Sequence, residues 1–266
     1  MNNIHAKKSL GQNFLRSKEA LNKIIEAGEL TQTDTVLEIG PGKGVLTERL
    51  LEKARRVLAI EKDDRLIPEL QTKFEKEISE GRLKLIHGDI LETELDTIIS
   101  KETPYKLIAN IPYYITGEII RRFLETSHQP EKIVFLLQKE VVKRIVARDL
   151  KESILSLSVK VYGTPRSEGV VKKEAFSPSP KVDSAILSIS NISKENFKDV
   201  SEDMFFKVVR SGFAQKRKKL TRNLEAVVPK ERIEKVFEEL QIDKNTRAED
   251  VLLEKWLIVS KEIAKN

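Results

Sequence analysis

Thr35-Val36-Leu37-Glu38-Ile39-Gly40-Pro41-Gly42-Lys43-Gly44 is a β-rich run that breaks into a glycine turn and leads into the amphipathic stretch Gly44 to Ala54. Strand, tight turn and helix in that order open a βαβ unit, and the alternation continues beyond it. Arg56 to Glu61 reads as the next strand, Arg65 to Ser79 as a helix and Leu83 to His87 as another strand. Leu107 to Asn110 and Ile133 to Leu137 prolong the series, with helical Thr116 to Glu125 between them. The pattern predicts an α/β fold with a mostly parallel, doubly wound sheet and helices on both faces. Leu155 to Val161 and Ala185 to Ile189 read as later strands, joined by a Gly- and Pro-containing segment without a clear helix. That break in rhythm predicts an antiparallel edge. After Ser190 only helical periodicity remains, in Asp203 to Phe213, Lys219 to Val227, Glu231 to Leu240 and Ala248 to Ala264. The expected division is therefore an α/β domain over 1–192 and a small all-helical domain over 193–266.

Composition narrows the function classes. The 266 residues are 39% hydrophobic and 34% charged, enough for one large core and a smaller unit. A net charge of +6, from 48 basic and 42 acidic residues, favours an anionic partner without amounting to a polybasic tail. With no cysteine there is no disulfide, thiolate metal site or thiol nucleophile, and His5, His87 and His128 are too scattered for a zinc site. The stretch Met1 to Gly11 has no apolar signal-peptide core, and no later run approaches the length of a membrane span. A cytoplasmic, monomeric protein with no membrane partner and no metal is the expectation.

The glycine turn belongs to a ligand site. Gly40 and Gly42 let the backbone turn sharply and let a ligand approach without a Cβ in the way. No Gly-Lys-Ser/Thr follows, so a P-loop is disfavoured, and the spacing is GxGxG where a dinucleotide fold shows GxGxxG. Glu61 ends the next strand, where an acid accepts hydrogen bonds from a ribose diol. Asp89 follows the strand after that, where a carboxylate can meet an adenine amino edge. Each acid alone reads more readily as a surface carboxylate or a helix N-cap. As an ordered set at the carboxyl ends of successive strands they fit S-adenosyl-L-methionine better than a nicotinamide cofactor.

Asn110-Ile111-Pro112-Tyr113 continues that edge. The Asn110 amide oxygen can accept from an exocyclic NH2, Pro112 holds the backbone so that a main-chain carbonyl accepts a second bond, and the Tyr113 ring can stack on a base. The constellation suits chemistry on a planar amine, adenine above all. Tyr114 could equally pack inward and is left out of the site. The densest run of cations, Lys216, Arg217, Lys218, Lys219 and Arg222, opens the helical region and is a candidate phosphate-binding surface. Lys139, Lys143, Arg144 and Arg148 form a second helical set that reads as a solvated face.

With these residues in place the chain resembles the ribosomal RNA adenine N6-dimethyltransferases, closest to their 16S rRNA branch. The resemblance runs from Lys8-Ser9-Leu10-Gly11-Gln12-Asn13-Phe14-Leu15 through Glu38-Ile39-Gly40-Pro41-Gly42, Gly88-Asp89-Ile90-Leu91 and Asn110-Ile111-Pro112-Tyr113. It extends to Phe176-Ser177-Pro178-Ser179-Pro180-Lys181-Val182-Asp183-Ser184-Ala185 and on to the final helix. It implies a Rossmann-like class I methyltransferase fold and transfer of methyl groups from S-adenosyl-L-methionine to adenine N6 of 16S rRNA in the 30S subunit or its precursor. It implies cofactor contacts at Asn13, Leu15, Gly40, Glu61, Asp89 and Asn110, with Gly42 in the same loop and Phe14 as a packing anchor. It also implies that Phe176 stacks on the target base opposite Tyr113, and that the run through Arg222 contacts RNA. The rival readings are a 23S rRNA methyltransferase of the macrolide-resistance type, a non-catalytic ribosome assembly factor, and an N6-adenine DNA methyltransferase.

Overall fold

The computed structural model describes residues 6–7, 10–147 and 149–265; His5, Lys8, Ser9 and Arg148 lie outside them. A two-residue strand, β1 (Phe14–Leu15), comes first. β2 (Thr35–Ile39), β3 (Arg56–Glu61), β4 (Leu83–His87), β5 (Lys106–Asn110) and β6 (Lys132–Gln138) follow, then β7 (Thr164–Val171), β8 (Phe176–Ser177) and β9 (Ser184–Ser190). Seven of them form one sheet in the order β4-β3-β2-β5-β6-β9-β7. β2 to β6 pair in parallel, and β9 runs antiparallel to β6 with Phe135 opposite Leu187. The predicted α/β architecture and its antiparallel edge are both present.

The parallel strands are apolar at both parities because both faces are covered. Val36, Val57, Ile108 and Val134 face one core cluster with Leu21 and Ile24 of the helix Lys18–Gly28 and Leu50 of the helix Val45–Lys53. Leu37, Leu58, Leu107 and Ile133, at the alternate positions, are equally buried. From β2 the chain moves outward to β3 and β4, then returns to β5 on the other side of β2. In an open α/β sheet the crevice beyond the carboxyl ends of the strands at that reversal is where ligands bind. Gly40 and Asn110 sit on either side of it.

The chain forms two compact units, 1–142 with 165–192 and 143–164 with 193–266. The expected division at residue 192 has the chain change unit once; here residues 143–164 fold with the later helices. Within that stretch Leu155 to Val161, read as a strand, is the helix Ile154–Lys160. The sequence Ile154-Leu155-Ser156-Leu157-Ser158-Val159 alternates like a strand. A reciprocal cap overrides the alternation: Ser153 accepts from the Ser156 N–H, and Ser156 accepts from the Ser153 N–H at 2.6 Å. The antiparallel edge is thus built from β9 with β7 outside it, and not from residues 155–161.

In the second unit Trp256 of the helix Leu253–Ala264 is fully buried, and its ring stacks on Phe213 at 5.6 Å. Any Cβ at Gly212, the last residue of the helix Glu202–Gly212, would collide with that indole. No helix among the described residues is long and apolar enough to cross a membrane, and no group of three or more His, Asp or Glu could hold a metal ion.

Candidate active site

The glycine turn leaves β2 with Gly40 at φ 65° and Gly42 at φ 60°, a region that side-chain-bearing residues rarely adopt. A Cβ at Gly40 would project into open space, whereas one at Gly42 would stand 3.2 Å from the Phe14 ring. The open cradle in front of Gly40 is where a ligand can touch the main chain. Glu38, at the end of β2, is buried, and its Oε2 has no hydrogen-bond partner. Burial raises its carboxyl to about 8. An acid whose folded value lies above its unfolded one holds its proton more tightly when folded, so stability is full below about 4.5 and falls as pH rises towards about 8. Tm measured across that window should decline in the native protein, and Glu38→Gln should flatten the decline.

Glu61 ends β3 with its carboxylate half committed. One oxygen accepts the Asp63 N–H at 2.8 Å, and the other accepts the Gly42 N–H at 3.0 Å. Burial raises the carboxyl against those two donors. The acid is therefore oriented by the glycine turn itself. Asp89, beyond β4, accepts the Leu91 N–H at 2.9 Å and pairs with the Lys62 ammonium. Burial raises its carboxyl, but Lys62 and the Leu91 N–H outweigh that and keep it below the usual range.

Asn110 ends β5. Its Nδ2 donates to the Asn13 carbonyl at 3.1 Å, which leaves the amide oxygen as the group able to accept from a bound base. Ile111 follows, nearly fully buried, and Pro112 turns the chain into the short 3-10 segment Tyr113–Ile115. The Tyr113 hydroxyl lies 2.8 Å from Ser184 Oγ at the start of β9, so its ring is held at both ends. Tyr114 stands on the cleft wall and is 59% exposed, with its ring against Gly11.

One cleft brings together Asn13, Gly40, Gly42, Glu61, Asp89, Asn110, Ile111, Pro112 and Tyr113. Its remaining walls include Leu10, Gly11, Gln12, Phe14 and Lys62. The residues fit S-adenosylmethionine: an open glycine cradle, an acid for a ribose diol, and a second acid for an amino edge. Of the residues expected at the cofactor and the base, Leu15 and Phe176 are not on the cleft wall. β1 and β8 pair antiparallel with Leu15 opposite Phe176, so both side chains lie on one face of the ribbon and enter the hydrophobic core. Phe176 is 5% exposed. Phe14, on the other face of the ribbon, reaches the cleft instead, with the Lys43 ammonium 5.3 Å from its ring centroid.

The sequence reading missed Gln12, Lys62 and Asp63, which pair across long stretches of chain, Gln12 with Asp63 and Lys62 with Asp89. Asp63 carried one local signal, its position two residues after Glu61 at the end of a strand. In the second unit Lys216, Arg217, Lys218, Lys219 and Arg222 are all exposed, and none has an ion pair among the described residues. Asn223 shapes their loop: its Nδ2 donates to the Gly212 carbonyl at 2.6 Å and to the Gln215 carbonyl at 3.2 Å. Lys143 and Arg144 of the second set are exposed on the helix Lys139–Val146.

The profile of the ribosomal RNA adenine dimethylase family matches residues 3–265. A ribosomal RNA small subunit methyltransferase A from Dehalococcoides mccartyi is 44% identical over 99% of this chain and 90% of its own length. Among solved structures, a dimethyladenosine transferase from Plasmodium falciparum superposes with a TM-score of 0.78 at 27% identity, covering 92% of this chain and 95% of that one. The 23S rRNA methyltransferase ErmE superposes with a TM-score of 0.75 at 25% identity, covering 95% of this chain and 100% of that one. With the glycine cradle, the two acids and Asn110 on a single cleft, and a family match that spans nearly the whole sequence, the chain belongs to the ribosomal RNA adenine dimethylases, which are S-adenosylmethionine-dependent methyltransferases.

Proposed function

We propose that this protein converts two adjacent adenosines near the 3′ end of 16S rRNA to N6,N6-dimethyladenosine, acting as a cytoplasmic monomer on the 30S subunit or its precursor. The observation that carries the reading is the position of Asn110 and Ile111 on the same cleft as Gly40, Glu61 and Asp89. Acceptors for an amino group and a seat for the methyl donor share one space.

S-adenosylmethionine supplies a methyl group on a sulfonium, whose positive charge is quenched as the methyl leaves. The nucleophile is the difficulty, because the lone pair of adenine N6 is delocalised into the ring. The Asn110 amide oxygen and the Ile111 carbonyl accept from N6, localise that lone pair and aim it along the line of the methyl–sulfur bond. Their combined effect is orientation plus electrostatic support for the positive charge that develops on N6. The N6 proton then leaves to water. Tyr113, pinned through Ser184, stacks on one face of the base. After the first transfer N6 keeps a single hydrogen, so one of the two acceptors must release it before the second.

A base in a duplex cannot reach such a cleft, so the target adenosine enters unstacked from a loop or single strand. The exposed cations of Lys216 to Arg222 supply contacts to phosphates of the RNA. A 23S rRNA methyltransferase is the second reading, since the fold matches ErmE nearly as well as the dimethyladenosine transferase. Sequence favours the first: 44% identity to the small-subunit enzyme against 25% to ErmE. The direct test is transfer of labelled methyl from S-adenosylmethionine to unmethylated 30S particles and to protein-free 23S rRNA, with the product mapped. Dimethyladenosine in 16S rRNA alone supports the proposal; label confined to 23S rRNA overturns it.

A further inference from the structure

Asp63 lies just past the end of β3 and is nearly inaccessible to solvent, yet no step of methyl transfer uses it. Every polar atom it offers is engaged. Its N–H donates to Glu61 Oε1 at 2.8 Å, so the acid assigned to the ribose is held in place from the Asp63 main chain. Arg65 grips its carboxylate with two donors, at 2.9 Å and 2.6 Å. A third side-chain donor comes from far away in sequence: Gln12 Nε2 reaches Asp63 Oδ2 at 2.7 Å. The Gln12 amide oxygen in turn accepts the Lys7 N–H at 2.7 Å.

The segment from Leu10 to Asn13 is therefore tied at both sides of the cleft. Gln12 fastens it to the end of β3 through Asp63, and the Asn13 carbonyl fastens it to Asn110 at the end of β5. Between these ties the segment forms cleft wall rather than a free tail. The Arg65 fork matters electrostatically. A buried carboxylate beside Glu61 would otherwise repel it, whereas a bidentate guanidinium holds Asp63 ionised, at about 2, and fixes the oxygen that Gln12 must find.

We infer that Asp63 is a positioning residue for cofactor binding, which sets the Glu61 carboxylate through its main chain and latches residues 10–13 across the cleft through Gln12. It touches neither substrate nor the reacting atoms, and its effect passes through Glu61 and the segment. The inference rests on the assignment of this cleft to S-adenosylmethionine for its affinity arm alone.

Replacing Asp63 would disturb a buried network, so the test is made at its partner. Gln12 is only partly buried, and Gln12→Ala removes the tie without opening the core. Gln12→Glu sets a second carboxylate against Asp63. Two readouts are needed: hydrogen–deuterium exchange over residues 10–15 in the ligand-free protein, and calorimetric affinity for S-adenosylhomocysteine. Loss of a hydrogen bond to an ionised partner corresponds to roughly a tenfold change in an equilibrium constant. Both variants should exchange faster by about that factor over this segment, with Gln12→Glu the faster, and bind S-adenosylhomocysteine about tenfold more weakly. Unchanged exchange in both variants overturns the latch. If the native protein itself fails to bind S-adenosylhomocysteine, the cofactor assignment falls, and the exchange result still decides the latch.

Discussion

Asn110→Ala should lower methyl transfer by about a thousandfold, at the upper end of the ~10²–10³ lost when one preorganised polar group is removed from a reacting centre. The effect is large because this amide does two things. In the proposed mechanism its oxygen accepts from adenine N6, and its Nδ2 holds the Asn13 carbonyl at 3.1 Å. Loss of turnover alone would not separate those roles. Asn110→Asp does: the carboxylate still accepts from N6 but can no longer donate to Asn13. Single-turnover methyl transfer and S-adenosylhomocysteine binding should be measured on both variants. Asn110→Ala should lose the chemical step at saturating cofactor, while Asn110→Asp should lose mainly cofactor affinity. Equal chemical rates in Asn110→Ala and the native protein would remove Asn110 from the mechanism.

The second large effect belongs to the basic loop. Replacing Lys216, Arg217, Lys218 and Lys219 together by Ala should weaken RNA binding by roughly a hundredfold at low salt and flatten its salt dependence. If each cation neutralises one phosphate, the slope of log affinity against log salt should shrink by about three, from ~0.7–0.9 for each phosphate no longer neutralised. The fold should not suffer. All four side chains are exposed, and the loop is anchored by groups left untouched, namely Asn223 on the Gly212 carbonyl and Trp256 against Gly212. Filter binding across a salt series, with Tm as the control, checks both halves. An unchanged slope would mean that the loop neutralises no phosphates.

The α/β alternation was legible along the chain because it is local. A strand covered on both faces must be apolar at both parities, and Val36 with Leu37 or Leu107 with Ile108 show it without reference to anything distant. The cleft residues on the sheet were legible for a related reason. Parallel strands place all their carboxyl ends at one edge, so Gly40, Glu61, Asp89 and Asn110 had to converge once the strands were identified. Leu155 to Val161 was misread because its alternating pattern fits a strand, while a pair of serines at its start selects a helix. The burial of Phe176 against the core was not legible, for a long-range reason. Its orientation depends on pairing with Leu15, and nothing near residue 176 in the sequence specifies that partner.

By itself the amino-acid sequence determined the sheet, the glycine cradle, the acids and the amide, because each follows from short-range periodicity and strand ends. Tertiary structure alone decided which side of the β1–β8 ribbon faces the cleft, so that Phe14 lines it and Phe176 does not. It also decided that residues 143–164 fold with the later helices, and that Gln12 meets Asp63 across 51 residues of chain. The physical reason is common to all three. Each is a choice among burial and hydrogen-bond partners brought together only when the chain closes long loops, and such choices leave no periodic trace in the residues that make them.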